Sequence, residues 1–168
     1  LSGFGALTKS GNGTLTLAGA NLFTGGTTIT GGTLALSGAG ALASANITIA
    51  TGATLDLSAQ ATPVLAANQE LFGSGTVKGP LTASAASRIH PATDGAAGTL
   101  TFNNALTLAA GATFNMDLSP SAVSGNDAVN VNDGDLELTR QLFVVGAVEF
   151  LPDLAVPLGY LVAGTGRH

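Results

Sequence analysis

Cysteine is absent from the chain, and with it go disulfide staples, thiolate nucleophiles and thiolate metal sites. Charge is scarce as well. Only 9% of the 168 residues are Asp, Glu, Lys or Arg, against roughly a quarter in ordinary globular proteins. Ten acidic residues outnumber five basic ones, for a formal net charge of −5. No run of Lys or Arg could track a phosphate backbone, so nucleic acid is not an expected partner. Long unbroken apolar runs are missing too. The most apolar stretch, FVVGAVEFLPDLAVPLGYLVAG at 143–164, is interrupted by Glu149, Pro152, Asp153 and Pro157, which excludes a membrane-spanning helix there. The sequence opens on Leu1 with no basic stretch and apolar run before it. A targeting signal is therefore expected to have been removed or to lie outside these residues. Helical periodicity is lacking as well, and its best candidate, AQATPVLAANQELF at 59–72, is split by Pro63.

What is present is apolar and patterned. Hydrophobic residues make up 45% of the chain and glycine contributes 24 residues; a composition this apolar and this weakly charged folds. The length suits one domain with a sizeable core. Alternation of period two recurs throughout: Ile47 with Ile49, Leu55 with Leu57, Leu100 with Phe102, Leu106 with Leu108, Phe114 with Met116 and Leu118, Val129 with Val131, Leu136 with Leu138. The chain reads as all-β.

Two β architectures compete for this pattern. TTIT, then Gly31 and Gly32, then TLAL reads locally as a two-residue hairpin, the unit of an antiparallel sandwich or barrel. At longer range, GTLTL at 13–17 returns as GTLAL at 32–36 and ATLDL at 53–57, with echoes GTVKG at 75–79 and GTLTF at 98–102. Self-similarity at about twenty residues marks a coil that stacks on copies of itself. In that solenoid Leu15, Leu34 and Leu55 form one inward ladder, Leu17, Leu36 and Leu57 the next, and Thr14, Thr33 and Thr54 line the outside. Roughly eight coils, each rising by ~4.8 Å, fit the length.

The residues also carry a family resemblance. GALTKSGNGTLTLAGANLFTGGTTITGGTLAL at 5–36 contains Leu7, Thr8 and Lys9, then Gly11 to Leu15, then Asn21, Phe23, Thr24 to Thr27, and Gly32 to Leu34. In this order they resemble the autotransporter-associated β-strand repeat, also called the passenger-associated transport repeat. The segments at 73–82, 90–118, 127–138 and 158–166 are similar to the degenerate coils that follow such repeats. The resemblance implies a right-handed parallel β-helix, here with coils of about 19–23 residues. It also implies a place on the bacterial surface or outside the cell, reached by type V secretion. Residues 1–168 are then one β-solenoid domain: clear repeat coils over 1–58, degenerate coils over 59–118, and terminal coils with a cap-like segment over 119–168. Pro152 and Pro157 with Phe143, Phe150 and Tyr160 are expected to fold over the last rung. The first rung has no comparable device, so the expected partners are adjoining repeats or a second copy stacked end to end. The expected function is a non-catalytic stalk or passenger, the alternative a fibre or sheath subunit. A glycan-active β-helix is the weakest of the three readings.

Few residues suggest chemistry. Asp127, Asp133 and Asp135 in GNDAVNVNDGD form the densest acidic group, yet neither a calcium nonapeptide register nor an EF-hand loop is met, and a solvated loop is expected. His90 lies near Arg88 and Asp94 in sequence, but a His before Pro91 in a glycine-rich turn reads as a surface residue with no nucleophile beside it. Lys9 is expected on an outer face. Asn21 is expected at a coil corner, bonding backbone groups that the turn leaves unpaired. No catalytic, cofactor or metal residue is assigned, and no cofactor is expected.

Overall fold

The computed structural model describes residues 2–92, 96–116 and 127–132, and the backbone of two strands at 136–138 and 143–145. All regular structure among them is strand. The strands follow in threes, one triplet to a coil. The first coil holds β1 (Ser2–Gly3), β2 (Leu7–Lys9) and β3 (Thr14–Leu17); the second β4 (Ala20–Phe23), β5 (Thr27–Ile29) and β6 (Thr33–Ser37); the third β7 (Ala41–Leu42), β8 (Asn46–Ile49) and β9 (Thr54–Ala59). The fourth holds β10 (Val64–Leu65), β11 (Glu70–Gly73) and β12 (Thr76–Lys78); the fifth β13 (Leu81–Ala83), β14 (Arg88–Pro91) and β15 (Thr99–Phe102). The sixth holds β16 (Leu106–Leu108), β17 (Thr113–Asn115) and β18 (Ala128–Val131), and the seventh β19 (Leu136–Leu138) and β20 (Phe143–Val145).

Pairing between these named strands is parallel throughout and joins one coil to the next. Three faces result. The second face is one seven-stranded sheet, β2-β5-β8-β11-β14-β17-β20, and the third a six-stranded sheet from β3 to β18. The first face is split into β1-β4-β7 and β10-β13-β16-β19. The chain is a parallel β-solenoid. The hairpin reading fails at the place that suggested it: β5 pairs with β2 and β8, and β6 with β3 and β9, so Gly31 and Gly32 turn a coil corner. Gly32 has a φ of +63°, and a Cβ there would collide with the carbonyls of Gly11 and Gly13 one coil earlier. At Gly73, with a φ of +118°, a Cβ would strike the carbonyl of Ile49. These corners need glycine because coils stack at backbone contact.

Alternation sets the core. Leu15, Leu34, Leu55, Val77, Phe102 and Val131 are register partners in one inward line on the third face. Ile47, Leu71, Ile89 and Phe114 do the same on the second. Leu34, Val77 and Phe102 are fully buried, whereas Leu15, in the first coil, is only partly so. Burial of each such side chain stabilises by about 1.5–3 kcal/mol. Thr14, Thr33 and Thr54 are also register partners and point outward, as expected. Leu17 opposes Leu36, but a bulge between β6 and β9 offsets Leu57 from Leu36, and both remain buried.

Coil length drifts. Partners on the second face run Leu7, Thr27, Ile47, then Leu71, Ile89, Phe114 and Val144, steps of 20, 20, 24, 18, 25 and 30 residues. Among the described residues the longer late coils give this face seven rungs. They also move one echo: GTVKG and GTLTF do not align residue for residue, because Val77 faces Phe102 instead of Leu100. A slip of two residues preserves which side chains face inward, so Leu100 and Phe102 are both buried.

Candidate functional site

Polar side chains with a defined task gather at the coil corners. Lys9 is the clearest. Leu7 and Lys9 share the inward parity of β2, and Lys9 opposes Ile29, so its side chain enters the coil instead of lying on an outer face as expected from the sequence. It is 7% exposed. Its Nζ donates to the carbonyls of Ser10 (3.0 Å), Gly11 (2.8 Å) and Gly31 (2.9 Å). One ammonium thus ties stacked corners of coils one and two, satisfying three carbonyls that the turns leave outside any ladder. The signal was in the sequence, since period two puts residue 9 on the side of residue 7. Asn21 works as expected: its Nδ2 donates to the carbonyls of Gly19 (2.8 Å) and Ala41 (3.2 Å), bridging coils two and three. Thr27 and Ser44 share a buried hydroxyl hydrogen bond of 2.7 Å beneath the same stack.

Charged residues on the outer faces meet across adjacent rungs. Asp56 and Lys78 are register partners and pair at 3.0 Å. Burial pushes the Asp56 carboxyl up, but hydrogen bonds from the Ser58 hydroxyl and amide and the nearby Lys78 ammonium outweigh it and hold the group below the usual carboxylate range. Glu70 and Arg88 are likewise register partners, joined at 2.6 Å. Both cations are more than half exposed, so these pairs serve register more than stability.

His90 departs from its expected surface position. It opposes Phe72 in register, and the two rings stack with centroids 4.4 Å apart at 20°. It is 7% exposed, and its Nε2 lies 4.0 Å from a Glu70 carboxylate oxygen. The chain turns back just beyond it, where Ala92 bridges antiparallel to Gly73. Parity in β14 puts His90 outward, but the fold-back at Ala92 is long-range and had no local signal. Arg88 is on the same strand; Asp94 lies outside the described residues.

Asp127 is buried and accepts a hydrogen bond of 2.9 Å from the Gly98 amide, a corner role in place of the solvated loop expected of it. Asp133 and Asp135 lie outside the described residues, as do Pro152, Pro157, Phe150 and Tyr160 of the expected cap. Among the described residues no group of three His, Asp or Glu side chains converges on a metal position. No helix among them is long and apolar enough to cross a membrane.

The arrangement is one of stacking: corners tied by Lys9 and Asn21, faces held by ladders, outer charges matched rung to rung. Among family models, the passenger-associated-transport-repeat matches residues 7–36. No curated protein and no solved structure matches the chain. The matched segment runs from β2 to β6 and includes Lys9, Asn21 and Gly32. The likeness to the passenger-associated transport repeat thus lies in the first coils, from Leu7 to Leu36.

Proposed function

We propose that this domain is a non-catalytic length of β-solenoid in a bacterial surface-displayed or secreted protein, a stalk or passenger that spaces or presents what is attached to it. The observation that carries this reading is the seven-stranded parallel ladder of the second face, which begins in the transport repeat and continues well past it. Such a ladder builds length along one axis and invests its polar groups in corners, as Lys9 and Asn21 do. Surface fractionation and protease shaving of cells producing the parent protein test the location. The reading expects this segment among the released peptides and fails if it stays inside intact cells. Incubation with acidic glycans tests the absence of catalysis; cleavage products would overturn it.

A further inference from the structure

Asn12 is the only asparagine of the chain that is followed by glycine. With Gly13 it forms the corner between β2 and β3, and both residues are exposed. The Asn12 side chain makes no hydrogen bond to any described residue, and the Gly13 amide finds no acceptor among them. That freedom belongs to the corner and not to its level in the stack. Gly32 stands over Gly13, one residue ahead of the register partners Thr14 and Thr33, and its amide, with a coil on either side, also donates to no described residue. Other asparagines are held. Asn21 is buried and tied to two carbonyls, Asn104 Oδ1 accepts the Gly79 amide, and Asn103 Oδ1 accepts from Asn132.

An unrestrained asparagine beside glycine carries an electrophile and its nucleophile together, which is one way in which asparagine is thermolabile. The Gly13 nitrogen, with no Cβ beside it to obstruct the approach, closes on Asn12 Cγ as an intramolecular reaction. The Gly13 N–Cγ bond forms as the amide proton passes to solvent, the Cγ–Nδ2 bond breaks, and Nδ2 takes up protons and leaves as ammonia. A succinimide then joins residues 12 and 13. Water opens it by adding to either imide carbonyl. Breaking the Gly13 N–Cγ bond gives aspartate on the original backbone; breaking the bond from Gly13 N to the Asn12 carbonyl carbon gives isoaspartate, whose main chain runs through the former side-chain methylene. In sum one water is consumed and one ammonia released, with no change of oxidation state.

The position gives this reaction its effect. The Gly13 carbonyl accepts the Thr33 amide at 3.1 Å, and Lys9 Nζ ties the Gly11 and Gly31 carbonyls beside it. A Cβ on Gly32 would collide with the Gly11 and Gly13 carbonyls and with the carbonyl carbon of Asn12. A corner packed at backbone contact has no room for an added main-chain carbon. We propose that Asn12–Gly13 is a site of spontaneous covalent modification, where conversion of Asn12 to isoaspartate loosens the joint between coils one and two.

The test ages the whole chain in warm, mildly alkaline buffer made with oxygen-18 water, followed by peptide mass spectrometry, isoaspartate methyltransferase labelling and hydrogen exchange. Residue 12 should lose its amide and take up one heavy oxygen, with isoaspartate as the larger product, while Asn21, Asn103 and Asn104 stay intact. Exchange at the Thr33 amide should quicken in the aged chain. Gly13→Ala keeps the fold, since a Cβ there meets nothing within 4 Å and the backbone is outside the left-handed region, and it should slow conversion roughly tenfold. Asn12→Asp brings the charge without the longer backbone and should leave Thr33 exchange as in the parent. Four results would overturn the proposal: an Asn12 that keeps its amide in the folded chain but loses it in urea, conversion of Gly13→Ala as fast as the parent, conversion of Asn21 alongside Asn12, or isoaspartate at residue 12 with Thr33 exchange unchanged. An Asn12→Asp chain that loosens Thr33 as much as ageing does would overturn the role given to the longer backbone, and with it the proposal.

Discussion

Leu34→Ala isolates the stacking core. Leu34 is fully buried in β6, with Leu15 opposite it on one side and Leu55 on the other. Core leucine truncations cost about 2–5 kcal/mol, the larger values where the surroundings cannot collapse into the space. Both neighbouring strands are fixed by backbone ladders, so collapse is restricted and the expected cost is about 3–4 kcal/mol. For a chain of this size that lowers the melting temperature by roughly 6–16 °C. Two controls share the ladder. Leu15→Ala, at the partly open first coil, should cost about half as much, and Thr33→Ala, one residue away but outward, should stay within about 0.5 kcal/mol. Urea unfolding of the three variants, with hydrogen exchange to show that Leu34→Ala loosens coils one to three first, makes the comparison. A Thr33→Ala loss larger than that of Leu34→Ala would refute the inward assignment, because a slip of one residue exchanges the two faces.

Other perturbations probe the corners and the charges. Lys9→Met keeps the aliphatic stem but strips donors from the Ser10, Gly11 and Gly31 carbonyls; it should cost about 1–3 kcal/mol, whereas Lys78→Met, removing an exposed pair, should cost under about 1 kcal/mol, both read by urea titration. Gly73→Ala places a Cβ against the Ile49 carbonyl at a positive φ, and a loss of at least about 1–3 kcal/mol is expected, with fast exchange at the Ser74 amide that bonds the same carbonyl. The Asp56 carboxyl titrates below its usual range in the folded chain, so its ionised form is favoured by folding. Its contribution is complete above the unfolded-state pKa and disappears as pH falls through the folded one. Asp56→Asn should thus show a smaller loss of melting temperature than the parent between neutral pH and acid below about pH 4, and an identical acid limb would contradict the assignment.

The first coils were legible because their repeat is close to perfect. Leu15, Leu34 and Leu55 recur at nearly constant spacing with Thr at the position before, and stacking follows once like is placed on like. Asn21 was legible for the same reason, as an amide at a corner. The later coils were less so, since the step lengthens on both faces: Val77 meets Phe102, and the coil carrying β17 is followed 30 residues on by β20. A changing period erases the echo while leaving the alternation intact. Lys9 lies inside the coil and not on an outer face because parity in β2 turns it inward and the corner carbonyls offset its desolvation. His90 and the break after β7 depend on contacts between segments far apart in sequence. The fold-back at Ala92 and the bonds of Gln60 and Gln69 to the carbonyls of Gly40, Leu42 and Ser44 have no signature in a single window.

Parallel stacking is the claim on which the rest stands, and the segment from Thr27 to Ser37 tests it most directly, because the same residues could have formed a hairpin. Isotope-edited NOESY across this segment should place Thr33 against Thr14 and Thr54, and Thr28 against Thr8 and Thr48, with no ladder between 27–29 and 33–37. Close cross-strand contacts between those two stretches, with none to the neighbouring coils, would show an antiparallel hairpin and contradict the solenoid.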